Sequence, residues 1–135
     1  MTRFTDLIHN SKTVVAVEPQ EKASAGNIAS EIIDTQGFYA MLFQVALGEV
    51  ADTAVQVLKI EEGNEADLSD AVEAQDTQII GALATDNDDP TVVQCINFVP
   101  NKRYVKATLK TTGANALVSA NAILFGADID GKINE

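Results

Sequence analysis

This chain of 135 residues has no tryptophan, one cysteine, one histidine, three prolines, and nine basic residues against twenty acidic ones. Each scarcity excludes something. With Cys95 alone, no internal disulfide can form, and the fold must stand on its core. In the apolar run "TVVQCINFV" that residue reads as a buried, inert thiol. His9 and Cys95 stand 86 positions apart and do not by themselves make a zinc site or a Cys–His pair. No G-x-S-x-G surrounds a serine, and the glycines are spread through turns instead of forming a phosphate-cradling loop. The reading is therefore a non-enzymatic protein with no catalytic, cofactor-binding or metal residues and no cofactor.

Long apolar runs are also missing. The longest candidate, "GFYAMLFQVALG", is 12 residues, contains Gln44 and is bounded by glycine, short of the roughly 18 residues of a membrane span. "MTRFTDLIHNSK" lacks the apolar stretch of a secretory signal. The expectation is a protein without a membrane partner. The absence of tryptophan removes the platform on which sugar-binding sandwiches usually stack their ligands, leaving Tyr104 as the one aromatic expected on a wet face.

What is present is charge, unevenly placed. The formal net charge is -11, yet residues 91–127 contain no acid and four bases, Lys102, Arg103, Lys106 and Lys110. The rest of the chain carries all twenty acids against five bases. Such a balance argues against direct nucleic-acid binding and suits a soluble protein that meets other proteins. The segment "EEGNEADLSDAVEAQD" (61–76) has seven acids and no base, and reads as a solvated loop or as an acidic face for a basic partner. "DNDDP" (86–90) offers Asp86, Asp88 and Asp89 as oxygen ligands, but Pro90 stands where a calcium loop needs an acceptor, and neither the following glycine nor the closing glutamate is present.

The dominant period is two. In "RYVKATLKT", Val105, Ala107 and Leu109 alternate with Tyr104, Lys106, Thr108 and Lys110, the pattern of a strand with one wet face. "TVVAVEP" (13–19), "NIASEIID" (27–34, Ile28 in phase with Ile32), "FYAMLFQVAL" (38–47), "TAVQVLKIEE" (53–62), "TVVQCINFV" (91–99) and "ALVSANAILFG" (116–126) read as strands too. The third is apolar on both faces, with Tyr39, Met41, Phe43, Val45 and Leu47 on the bulkier one, and suits a central position. In 53–62 the phase passes from Val55 and Val57 to Leu58 and Ile60, which predicts a bulge or a change of partner. "KTTGANA" reads as a hairpin connection, and "EADLSDAVEA" (65–74) is the single helical candidate. The fold class is all-β: an antiparallel β-sandwich, jelly-roll-like, of seven to eight strands in one domain. Its parts are an N-terminal arm and first strand (1–26, with 1–12 expected to be poorly ordered), a sandwich body (27–126) and a C-terminal tail (127–135).

Three stretches taken together, "DTQGFYAMLFQVALG" (34–48), "LKIEEGNEADLSDA" (58–71) and "NKRYVKATLKTTGANALVSANAILFG" (101–126), resemble small virion structural proteins of tailed phages and prophages. The resemblance runs in order over residues 27–126, and Lys102, Arg103, Tyr104 and Val105 form its most specific piece. It implies a head-module protein, a capsid decoration (cement) protein or minor capsid component that is assembled in the host cytoplasm and carried in the virion. Its partner would be the major capsid protein, and it would occur as a homo-oligomer, most often a trimer. The partner-binding residues expected are Lys102, Arg103, Tyr104, Lys106 and Lys110, with strand pairing at an exposed sheet edge alongside. The competing reading is a carbohydrate-binding or receptor-binding module of a tail.

Overall fold

A computed structural model describes residues 8–48, 53–80, 89–91 and 93–127. The chain's end segments 1–7 and 128–135, and Asp86 and Asp88, lie outside the described residues. Ten strands follow one another: β1 (Ser11–Lys22), β2 (Gly26–Ala29), β3 (Ile33–Asp34), β4 (Phe38–Leu47), β5 (Val55–Gly63), β6 (Val72–Glu73), β7 (Ile79–Ile80), β8 (Gln94–Phe98), β9 (Tyr104–Thr111) and β10 (Ala116–Ala127). They form two antiparallel sheets. Sheet A has the order β1-β10-β4-β8-β7, and sheet B the order β2-β9-β5-β6 with β3 also paired to β9. The expected all-β sandwich is what the chain forms. Among the described residues ten strands stand against the seven to eight expected, because several short pairings (β3, β6, β7) escape a periodicity reading.

The core lies between the sheets. Met41, Phe43 and Val45 of β4 and Ile96 and Phe98 of β8 meet Val55, Val57 and Ile60 of β5 and Val105, Ala107 and Leu109 of β9, all essentially without solvent contact. The small inward residues of β10, Ala120 and Ala122, belong to the same cluster. β4 is the middle strand of sheet A, as its two apolar faces predicted. Tyr39 departs from that pattern and is exposed at the start of the strand. Pro19, which has no N–H to donate, falls in a register irregularity of β1, an edge strand where that loss is tolerated. β1 starts at Ser11, so residues 11 and 12 are ordered, contrary to the expectation for the whole of 1–12.

Four further expectations are corrected. Ile28 and Ile32 do not share a face: the strand breaks after Ala29, and Ile33 turns inward while Ile32 is exposed. Residues 65–74 form no helix. The Asp70 carboxylate accepts the N–H groups of Asn64 and Glu65 at 2.9 and 3.1 Å, Leu68 adopts a left-handed φ of 57°, and the segment closes as tight turns before β6. "KTTGANA" is not a hairpin. It carries the chain from β9 in sheet B to β10 in sheet A, since β9 already has β2, β3 and β5 as neighbours and β10 has β1 and β4. Finally, Cys95 is exposed, because β8 turns Ile96 and Phe98 inward and Cys95 outward.

Candidate functional site

The basic segment begins in the loop before β9 and runs along that strand. β9 lies inside sheet B, between β2/β3 and β5, so edge pairing is not open to it. Val105, Ala107 and Leu109 point into the core, which turns Tyr104, Lys106 and Lys110 to the outer face. Thr108, expected to be wet, is almost covered between Ala29 and Lys59.

Arg103 does not stand free. Its Nε donates to Asp34 Oδ1 and its Nη2 to Asp34 Oδ2, both at 2.9 Å, a bidentate pair spanning 69 positions. The hydrogen bond from Arg103 is the main reason that the Asp34 carboxyl is held below its ordinary value, against a smaller opposing effect of burial. Arg103 is raised in turn. The guanidinium carbon also lies 4.9 Å from the centroid of the Tyr104 ring, a cation–π arrangement that covers one face of the tyrosine. Beneath them, Thr35 donates from both its N–H (2.9 Å) and its hydroxyl (2.6 Å) to the Arg103 carbonyl. The guanidinium is therefore presented from a braced backbone.

The other bases are placed differently. Lys106 stands opposite Glu61 of β5, whose carboxylate is also 3.8 Å from Lys59 Nζ. Lys102 contributes, after the backbone donors Asn64 and Glu65, to holding Asp70 below its ordinary value. Lys110 is exposed between Asn27 and Gln56, with no acid directly opposite. A positively charged segment of sequence thus becomes a mixed face in space, where Asp34, Glu61 and Glu73 interleave with the bases.

Glu62 is the residue of this site that the sequence pattern does not single out: it belongs to the acidic run 61–76, yet only 3% of it is exposed. Its Oε1 accepts the backbone N–H groups of Asn101 and Lys102 at 2.8 and 3.2 Å, and its Oε2 accepts Gln78 Nε2 at 2.9 Å. It fixes the loop that delivers Lys102 and Arg103 to the surface. The available signal was the phase of β5, which puts Glu62 on the same side as Ile60. Of the other six acids of the segment, Glu65, Asp67, Asp70, Glu73 and Asp76 are exposed and Glu61 is half-buried. Gly63 sits where an added Cβ would collide with the Asp70 carboxylate, so the turn needs glycine there.

Asp89 accepts the N–H and hydroxyl of Thr91 at 2.8 and 2.6 Å, and those bonds hold it below its ordinary value. Among the described residues, no three of His, Cys, Asp and Glu are grouped to hold a metal ion, and no helix is long and apolar enough to cross a membrane. What the arrangement offers chemically is recognition: a braced arginine over a tyrosine, a free-standing lysine, and acids between them. No protein-family model matches the chain, and no curated protein compared with it is detectably similar.

Proposed function

We propose that the chain is a non-enzymatic structural protein of a tailed-phage virion, a capsid decoration protein that docks on the major capsid lattice as a self-associated unit. The observation that carries this reading is the placement of Lys102–Val105, the stretch with the most specific resemblance to such proteins. Val105 anchors it in the core, while Lys102, Arg103 and Tyr104 form a surface feature held by Glu62, Thr35 and Asp34. The strand order supports the jelly-roll part of the reading. First and last strands are neighbours, and six of the nine connections between the described strands cross from one sheet to the other, as in a double-sheet architecture.

The test is co-sedimentation of the purified chain with shells of the major capsid protein encoded by the same genome. Wild type should saturate the shells, and Tyr104→Ala and Lys110→Glu should lower occupancy while leaving the melting temperature nearly unchanged. Wild type that fails to bind any form of the shell would overturn the proposal. The carbohydrate-binding alternative ranks second, because Arg103 occupies one face of the Tyr104 ring that would otherwise serve as a platform. A glycan-array signal lost on Tyr104→Ala would reverse that ranking.

A further inference from the structure

The two outer faces of the sandwich differ in kind. Sheet B carries charge. The outer face of sheet A, over the rows that join its strands, carries none. One row runs Thr13, Ile123, Leu42, Asn97 and Ile80 across all five strands. The next runs Val15, Asn121, Gln44 and Cys95. The rows on either side add Ala40 with Phe125 and Ala46 with Ser119. No Asp, Glu, Lys, Arg or His occurs among these residues, in a chain with 29 charged residues of 135. Large apolar side chains stand out from it or at its rim: Val15 is 58% exposed, Ile80 61% and Val93 51%. Glu18 and Glu21 come only beyond the β1 bulge, at the edge.

We infer that this uncharged face of sheet A is where a second copy of the chain docks. The occupant follows from charge. Each copy carries -11, so two copies repel wherever their acids approach, and least where neither presents an ionised group. A differently charged partner would find nothing here to recognise, whereas a second copy brings an equally uncharged, apolar surface. At its end, beside Leu117, the face gives way to a groove of about 480 Å³ between β1, β4 and β10, where Glu21 brings the first charge. Size sets the strength. Four strand spacings of about 4.8 Å and the charge-free stretch from Ser119 to Phe125 at about 3.4 Å per residue give a footprint of roughly 400 Å². Two such faces together bury about 800 Å², below the size of a stable interface, so the association is weak, reversible and concentration-dependent. The inference rests on the self-association part of the proposal above and is independent of capsid docking.

Its signature is the sign of the salt effect. Screening falls from about 10 Å at 0.1 M to about 3 Å at 1 M, so salt removes repulsion between acidic copies and strengthens a contact made through an uncharged face. A contact made through the bases of β9 would weaken. The experiment is sedimentation velocity of the full chain from about 1 µM to about 1 mM, the range occupied by weak complexes, at both salt levels. Wild type should associate more strongly at 1 M. Asn121→Asp and Ile80→Glu, each placing like charges across the contact, should weaken association at least about tenfold. Arg103→Glu/Lys106→Glu should not abolish it. Cys95 offers a second readout that needs no variant: its alkylation by iodoacetamide should slow as wild-type concentration rises. Association that weakens with salt and ignores Asn121→Asp would overturn the face while leaving self-association standing. A monomer at every concentration, with a constant Cys95 rate, would overturn both, and the shell-binding assay would still judge capsid docking separately.

Discussion

Arg103 and Asp34 are joined by two parallel hydrogen bonds of 2.9 Å, from the end of the loop before β9 to the last residue of β3. Both side chains are nearly half exposed, at 42% and 46%. The pair therefore orients the guanidinium more than it stabilises the fold, because exposed ion pairs are screened. Asp34→Asn should lower the melting temperature only slightly at neutral pH. The sign of the pH dependence follows from the folded-state carboxyl lying below its ordinary value of 3.8. Such a group stabilises above its unfolded value and loses that contribution as pH falls through the folded one. The difference between wild type and Asp34→Asn should thus be full at pH 6 and shrink in acid below about 3.9. A difference that grows in acid would contradict the assignment.

Glu62 makes a stronger prediction. Removing its carboxylate strands the backbone N–H groups of Asn101 and Lys102, and leaves the Gln78 amide with the Val99 carbonyl as its remaining acceptor. Glu62→Ala should cost roughly 2–3 kcal/mol in urea unfolding, and Glu62→Gln, which keeps the volume and one acceptor oxygen, about 1 kcal/mol. Loss of capsid occupancy should follow Glu62→Ala even at temperatures where the chain is folded, since the loop bearing Lys102 and Arg103 loses its anchor. Equal melts for wild type and Glu62→Ala would show that water replaces the carboxylate.

The alternation in β9 gives a third. Leu109 has no solvent contact, whereas Lys106 lies on the outer face. Leu109→Ala should cost about 2–5 kcal/mol as a cavity-forming change. Lys106→Ala should stay within about 0.5 kcal/mol. Comparable losses would mean that the strand phase is wrong.

Period-two alternation made the sandwich class, the central place of β4 and the inward set of β9 legible in the sequence, because each rests on residues next to one another. What was not legible depends on partners far away. A turn signal such as "TTGAN" says that the chain changes direction, but not whether the next strand pairs with the last or crosses to the other sheet. That is decided by β2, β3 and β5 occupying the sides of β9. Alternation places Lys106 and Lys110 on the outer face of β9, but not Lys102 and Arg103, which lie in the loop before it, and the pairing of Arg103 is invisible in the sequence, since Asp34 lies 69 positions away. Cys95 departs from the buried reading because "TVVQCINFV" is apolar at enough positions to hide which set faces inward. Gln94 takes the inward side of β8 at Val45, and Cys95 faces out.

The phase switch in β5 yields the last prediction. The expected bulge is present: the register with β9 shifts between Val57, opposite Leu109, and Lys59, opposite Thr108, leaving Leu58 unpaired and exposed. Val55 and Val57 are inward before it, and Ile60 and Glu62 after it. Leu58 is therefore an extra residue and not part of the core, contrary to its expected pairing in phase with Ile60. Leu58→Ser should change stability by no more than about 0.5 kcal/mol, against about 2–5 kcal/mol for Ile60→Ala. Deletion separates the cases further. Removing Leu58 leaves Val55, Val57, Ile60 and Glu62 on one face of an unbroken alternation, so the chain should still fold with a cooperative urea transition. Removing Glu61 instead flips Glu62 to the outer face, strands the Asn101 and Lys102 N–H groups, and should abolish that transition or shift it far toward zero denaturant. If the two deletions behave alike, the bulge does not set the phase that brings Glu62 to the loop before β9.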